Sequence, residues 1–221
     1  MTIAVDDEVG IEVETRPEIF SLADLLQRLG DISPSRVRMR PAPGTATIAD
    51  VERNKLCELI DGTLVEKAMG FKESILAFAL GALLRDHVLQ RNLGLLLGPD
   101  GTMEILTGLV RLPDVAYLSW ENLPGRRVPE KDVPAVVPTL AVEVISKGNS
   151  RKEMARKREE YFAAGVRLVW MIDRFKLTAT VYTAVDQFHT LTIADTLDGG
   201  DVLPGFTLKL SDLFGELDRT G

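Results

Sequence analysis

Three carboxylates and a lysine stand where their chemistry conflicts with their neighbours. Glu143 interrupts the apolar strand-like run from Leu140 to Ile145. Alternation along a strand puts it on the face of Ala141 and Ile145, away from Leu140, Val142 and Val144. A buried carboxylate costs several kcal/mol if it stays charged and alone, so it needs a partner, a cation or a proton. Asp114 follows Pro113 and leads into Val115, Ala116 and Tyr117, which repeats the anomaly. If adjacent strands set the two side by side, the anions repel unless a proton or cation lies between them. A divalent ion meets both needs. Ligation by oxygen alone suits Mg²⁺ or its substitute Mn²⁺ better than zinc, and the matching substrate is a phosphate ester. Glu58, in "CELIDG", is a third strand carboxylate able to complete the cluster.

The cation comes from the segment after Glu143. "SRKEMARKREEYFAAGV" predicts a helix with Ser150 as N-cap and Gly165 as its stop. Met154 and Tyr161 mark its inward stripe, and both Lys157 and Arg158 lie beside it. Periodicity does not choose between them. Lys157, three residues after Met154 and four before Tyr161, could hold a water or stabilise charge on a phosphate. Lys147, Arg151, Lys152 and Arg156 form a basic cap able to meet a phosphate backbone. The plain structural alternative is a buried Glu143 to Lys157 ion pair, with Asp114 a strand-start residue and Glu58 a hairpin residue.

The elements that must position these groups follow from periodicity and turn chemistry. The first 20 residues read as a loose acidic tail, and "SLADLLQRLGDI" as a short amphipathic helix with a capping signal from Ser21 to Asp24. Arg36, Arg38 and Arg40 alternate with Val37 and Met39, which predicts a short strand with one basic face before Pro41 and Pro43. Asp61-Gly62 predicts a β-hairpin, and "ESILAFALGALLRDHVLQRN" a long buried helix with His87 near its end. Strands are expected at "LGLLLG", "TMEIL", "RLPDVAYLSW", "RLVWMID", "LTATVYTA" and "FHTLTIA", the last containing His189, with turns and one short strand in the tail. Trp120 and Trp170 read as packing residues. The order predicts an α/β sandwich around a mixed sheet.

Composition narrows the class. Of 221 residues 45% are hydrophobic and 27% charged, a globular balance, and no run reaches the roughly 18 apolar residues of a membrane span. The start lacks the charged and apolar stretches of a secretory signal, so the cytoplasm is the expected location. A lone cysteine, Cys57, and two histidines leave carboxylates as the metal ligands. The net charge of −7 argues against a broadly basic nucleic-acid coat but not against a local basic site.

Taken together, "LCELIDGTLVEKAMG", "VRLPDVAYLSW", "LAVEVISKGNSRKEMARKREEYFAAGVRLVWMID" and "DTLDGGDVLPGF" resemble the PD-(D/E)XK nuclease superfamily and, within it, the Uma-type (Uma-two) family of bacterial endonucleases. The resemblance covers most of residues 45 to 214. It implies a restriction-endonuclease-like core, a mixed sheet flanked by helices, with an N-terminal β-hairpin and helical extension. The division expected is an extension over 1–44, the nuclease-like domain over 45–215 and a tail over 216–221. It also implies Mg²⁺-dependent phosphodiester hydrolysis, with DNA as the polymer, in a homodimer. Asp114 and Glu143 would hold the ion with the Val144 carbonyl as a third ligand. Lys157 would position or activate the water, and Glu58 would assist. The chain departs from the pattern at Ile145, where the superfamily has its lysine, at Lys72-Glu73-Ser74, where relatives place a histidine, and at Lys147, where many carry proline. The alternative is a catalytically inactive nucleic-acid or protein-binding module on the same fold.

Overall fold

Capping and turn signals account for most element boundaries. The computed structural model describes residues 21–220, so the expectation for the first 20 residues lies outside the described part. Two short helices, α1 (Leu22–Arg28) and α2 (Ile48–Arg53), precede a hairpin of β1 (Cys57–Ile60) and β2 (Thr63–Glu66). Helix α3 (Phe71–Gln90) leads to β3 (Gly94–Leu97), β4 (Met103–Leu106), β5 (Leu109–Arg111) and β6 (Val115–Ser119). Then come β7 (Leu140–Val144), α4 (Arg151–Ala164), β8 (Leu168–Asp173), β9 (Thr178–Tyr182) and β10 (Phe188–Thr192). The chain closes with β11 (Thr196–Asp198), β12 (Thr207–Lys209) and α5 (Leu210–Gly215).

The hairpin turn falls at Asp61 and Gly62, both at positive φ, as a tight two-residue connection requires. Helix α4 has the predicted ends. Ser150 Oγ accepts the Glu153 N–H, Glu153 returns a bond to the Ser150 N–H, and Gly165 closes the helix in the left-handed conformation.

Six strands form the main sheet in the order β10-β9-β8-β7-β6-β3, with β7 and β8 parallel and the other neighbours antiparallel. On one face, Leu76, Leu80 and Leu84 of α3 pack on Leu140, Val142, Val144 and Trp170, and the β11-β12 ribbon and α5 complete that layer. On the other, Met154 and Tyr161 of α4 pack on Ala141, Val169 and Met171. The alternation in β7 therefore aims Glu143 at α4, as its neighbours require.

Two departures from the expected strands bear on the site. "RLPDVAYLSW" is two strands rather than one, because Pro113 has no N–H to continue a ladder. The chain there leaves a separate four-stranded sheet, ordered β2-β1-β5-β4, and enters the main one. The segment around Arg36 to Arg40 is not a strand with a basic face. It makes a single bridge from Val37 to Val65, and Arg36 turns inward onto Glu153. Residues 21–44 pack onto the hairpin, where Leu25, Leu29, Ile32 and Val37 are buried with Ile60 and Val65. At the other end the tail holds two short strands and α5, and Leu217 packs on the main core. Helix α3 is buried along one side only, with Phe71 and Phe78 largely exposed at 84% and 80%.

Candidate functional site

Glu58, Asp114, Glu143 and Lys157 are all buried. The register of β6 on β7 pairs Val115 with Val142, and its continuation sets Asp114 opposite Glu143. Asp114 N–H donates to the Val142 carbonyl at 2.9 Å, the last rung of the ladder. Beyond it Pro113 offers no donor, and the Asp114 carboxylate itself takes over. Its Oδ2 accepts the Val144 N–H at 2.6 Å, which fixes the Val144 peptide beside Asp114.

Lys157 Nζ stands 3.1 Å from both oxygens of Glu143 and 3.0 Å from Glu58 Oε1. The Tyr161 hydroxyl, one turn along α4, donates to Glu143 Oε1 at 2.5 Å. Arg158, the alternative left open by periodicity, instead lies over the Tyr182 ring at 5.1 Å. Lys157 is the lysine of the cluster because its side chain leaves α4 toward the crossing of the two sheets. From the small sheet, Arg111 reaches Glu58 Oε2 at 2.7 Å and also binds Glu160, while the Leu112 N–H donates to Glu58 Oε1 at 3.3 Å.

Lys67, just past β2, completes the group. Its ammonium donates to the Pro99 carbonyl at 2.9 Å and sits 2.7 Å from Asp114 Oδ1, an ion pair too oblique to be a hydrogen bond. Sequence reasoning missed Lys67 and Arg111. Arg111 carried a usable signal, a charge within the apolar run "LVRLP", whereas Lys67 ends its strand and looks like any solvated lysine.

The electrostatics separate the two glutamates. Burial pushes the Glu143 carboxyl above its ordinary range; Lys157 opposes this, and the nearby Asp114 and Glu58 charges add to it. Burial also works against Glu58, but Lys157 and Arg111 outweigh it and hold that carboxyl down at about 2. Burial disfavours the Lys157 ammonium as well, yet Glu143 and Glu58 raise its pKa above the usual lysine value. An ammonium held this way stays charged, so it orients and neutralises its partners and does not take a proton from water.

Asp114 and Glu143 supply two hard oxygen donors with their charges side by side. Among the described residues no group of three or more His, Cys, Asp or Glu side chains could form a metal cage. A pair of carboxylates fits Mg²⁺, which keeps most of its water and commonly takes one or two protein carboxylates. Cys57 is buried and His87 packs against Phe206, so neither softens the donor set.

The expected basic cap divides. Arg156 is taken up by Asp61, Glu160 and the Arg28 carbonyl, and Lys152 pairs with Asp31. Arg151 borders a groove over β8 to β10 on the α4 side. Lys147 lines a different basin, of about 620 Å³, together with Lys67, Lys72 and Arg174. That basin opens at the carboxyl end of β7, where open α/β sheets place their ligands.

Comparison with known proteins agrees with this architecture. A solved structure described as a putative nuclease belonging to DUF820 from Anabaena variabilis ATCC 29413 superposes with a TM-score of 0.65 at 17% identity, covering 73% of this chain and 90% of that one. At that identity the likeness speaks for the fold. No curated protein matches the sequence. The profile of the Uma2 family, described as "Putative restriction endonuclease", matches residues 45–211, well over half of the chain. The chain therefore belongs to the Uma2 family.

Proposed function

We propose that the protein is a Mg²⁺-dependent endonuclease that hydrolyses phosphodiester bonds, with DNA as its polymer. The observation that carries this is the Asp114 and Glu143 pair, two buried carboxylates set opposite each other where adjoining strands meet, with Lys67 linking Asp114 to a basin that also takes in Lys72, Lys147, Arg174 and Glu73. Membership of a family described as "Putative restriction endonuclease" supports it. Asp114 and Glu143 would hold the ion, with the Val144 carbonyl as a further donor. When bound there, such an ion would supply positive charge to a phosphate oxygen and to the attacking water. Lys157 and Tyr161 hold the Glu143 carboxylate in place, and Glu58, anchored by Arg111, keeps Lys157 aimed at it.

The homodimer belongs to the same proposal. Phe71, Ile75, Phe78 and Leu83 make a second apolar stripe on α3, beside a groove of about 670 Å³ that runs to Leu213. A second copy would cover it. No helix among the described residues is long and apolar enough to cross a membrane, and the cytoplasm, where a lone cysteine stays reduced, suits the reading.

The test is incubation of the purified protein with supercoiled plasmid, linear duplex, single-stranded DNA and RNA in Mg²⁺, Mn²⁺ or EDTA, beside Asp114→Ala. Metal-dependent cutting that the substitution removes is the expected result. One observation favours a second reading: the carboxylates are already neutralised by Lys67, Lys157 and Arg111, as a structural ion network would be. A catalytically inactive nucleic-acid or protein-binding module follows if no substrate is cut and no metal raises the melting temperature.

A further inference from the structure

We propose that Lys67 is the lysine that meets the substrate, releasing Asp114 to bind the phosphodiester group that enters the site. This rests on the nuclease reading and names a residue for it that the α4 lysine cannot replace. Lys157 is 2% exposed, touches both Glu58 and Glu143, and does not line the basin. Lys67, with its side chain 6% exposed, meets the cluster at Asp114 and does line the basin. Its contact with Asp114 Oδ1 is close but misaligned, and its one hydrogen bond in the cluster goes to the Pro99 carbonyl. An ammonium has three donors, so bonds remain for phosphate oxygens.

The surroundings suit an anion. Lys72, Lys147 and Arg174 border the same basin; Arg174 pairs with Glu73 at 2.6 Å, so Lys67, Lys72 and Lys147 supply its excess positive charge. The other flank of β7 has Ile145 at its exit, which carries no charge. Where Lys67 now sits is also where a cation on Asp114 would compete with it. Movement of the ammonium from the carboxylate onto the phosphate removes that competition and puts a positive charge against the oxygen that becomes more negative during hydrolysis.

The experiment compares wild type, Lys67→Met, Lys67→Arg and Lys147→Ala. Binding of a labelled duplex DNA, a single-stranded DNA and an RNA is measured in EDTA over a salt series, cleavage and thermal stability in Mn²⁺. Lys67→Met should bind about tenfold more weakly with a salt slope shallower by about one, and Lys67→Arg should recover much of the loss. Cleavage by Lys67→Met should fall about 100-fold, while its Mn²⁺-dependent rise in melting temperature stays at least as large as in wild type. If Lys67→Met unfolds, Lys67→Met combined with Asp114→Asn removes the stranded carboxylate and serves for the binding series. Binding and salt slope unchanged from wild type overturn the inference, and then Lys67 only neutralises Asp114. Wild type that binds through Lys67 yet cuts nothing overturns the nuclease reading instead. Wild type that binds no nucleic acid overturns both.

Discussion

Replacing Lys157 by methionine isolates the interaction on which the site depends. The side chain keeps its length and loses its charge beneath 2% exposure. Glu58 would remain paired, since Arg111 lies 2.7 Å away and the Leu112 N–H still donates to it. Glu143 would keep the Tyr161 hydroxyl and no direct cation among the bonds seen here. A unit pair at this separation interacts by roughly 5 kcal/mol at an effective dielectric constant near 20. Stranding one member of a buried pair costs about 3–5 kcal/mol, a large part of the roughly 5–15 kcal/mol of a folded domain. The loss should depend on pH in a definite sense. Without Lys157 the folded-state pKa of Glu143, already raised, moves further above its unfolded value, so the folded state is penalised wherever the group must be charged. As pH falls below that raised pKa the carboxyl takes a proton and the penalty shrinks, reaching zero only near the ordinary unfolded-state value. Urea denaturation at pH 8, 7, 6 and 5 should show Lys157→Met approaching wild type on acidification, and Glu143→Gln with Lys157→Met should recover most of the loss at neutral pH. A cost below about 1 kcal/mol at pH 7.5, or one that does not shrink toward pH 5, refutes the reasoning.

If Glu143 is a metal ligand as proposed, the same carboxyl sets the pH dependence of metal binding in the wild type. The Mn²⁺-dependent rise in melting temperature should fade on acidification through the raised Glu143 pKa, above the ordinary glutamate value of 4.5, while Glu58 at about 2 stays ionised. Loss only below that ordinary value speaks against Glu143 as a ligand. In duplex binding by fluorescence anisotropy, Lys72→Ala and Lys147→Ala should weaken affinity and flatten the salt slope, whereas Lys152→Ala, already paired with Asp31, should change it less than twofold. Phe78→Asp should convert a dimer to a monomer by light scattering without unfolding it, because the ring is 80% exposed. A dimer that survives this change uses another surface.

Some of the site was legible because it depends on local physics. A period of two placed Glu143 with Ala141 against α4, Ser150 and Gly165 bounded the helix that carries Lys157, and Asp61-Gly62 set the hairpin of Glu58. Each rests on atoms a few residues apart. The alternation of Arg36, Arg38 and Arg40 was read by the same rule and misled, because the segment finds only a single bridge and Arg36 is drawn to Glu153, 117 residues away. A charged side chain chooses its partner by proximity in space, and a strand pattern holds only where a neighbouring strand exists to enforce it.

The sequence by itself determined that Glu143 interrupts its strand, which face of that strand it takes, and where the α4 helix begins and ends, since all three are dictated by bond geometry and capping over a turn or less. The tertiary structure decided that Lys67 stands on Asp114, that Arg111 binds both Glu58 and Glu160, and that Lys157 rather than Arg158 enters the cluster. Those pairings arise where the four-stranded sheet meets the main one across α4, and the strength of a buried ion pair is set by distances between segments far apart in the chain.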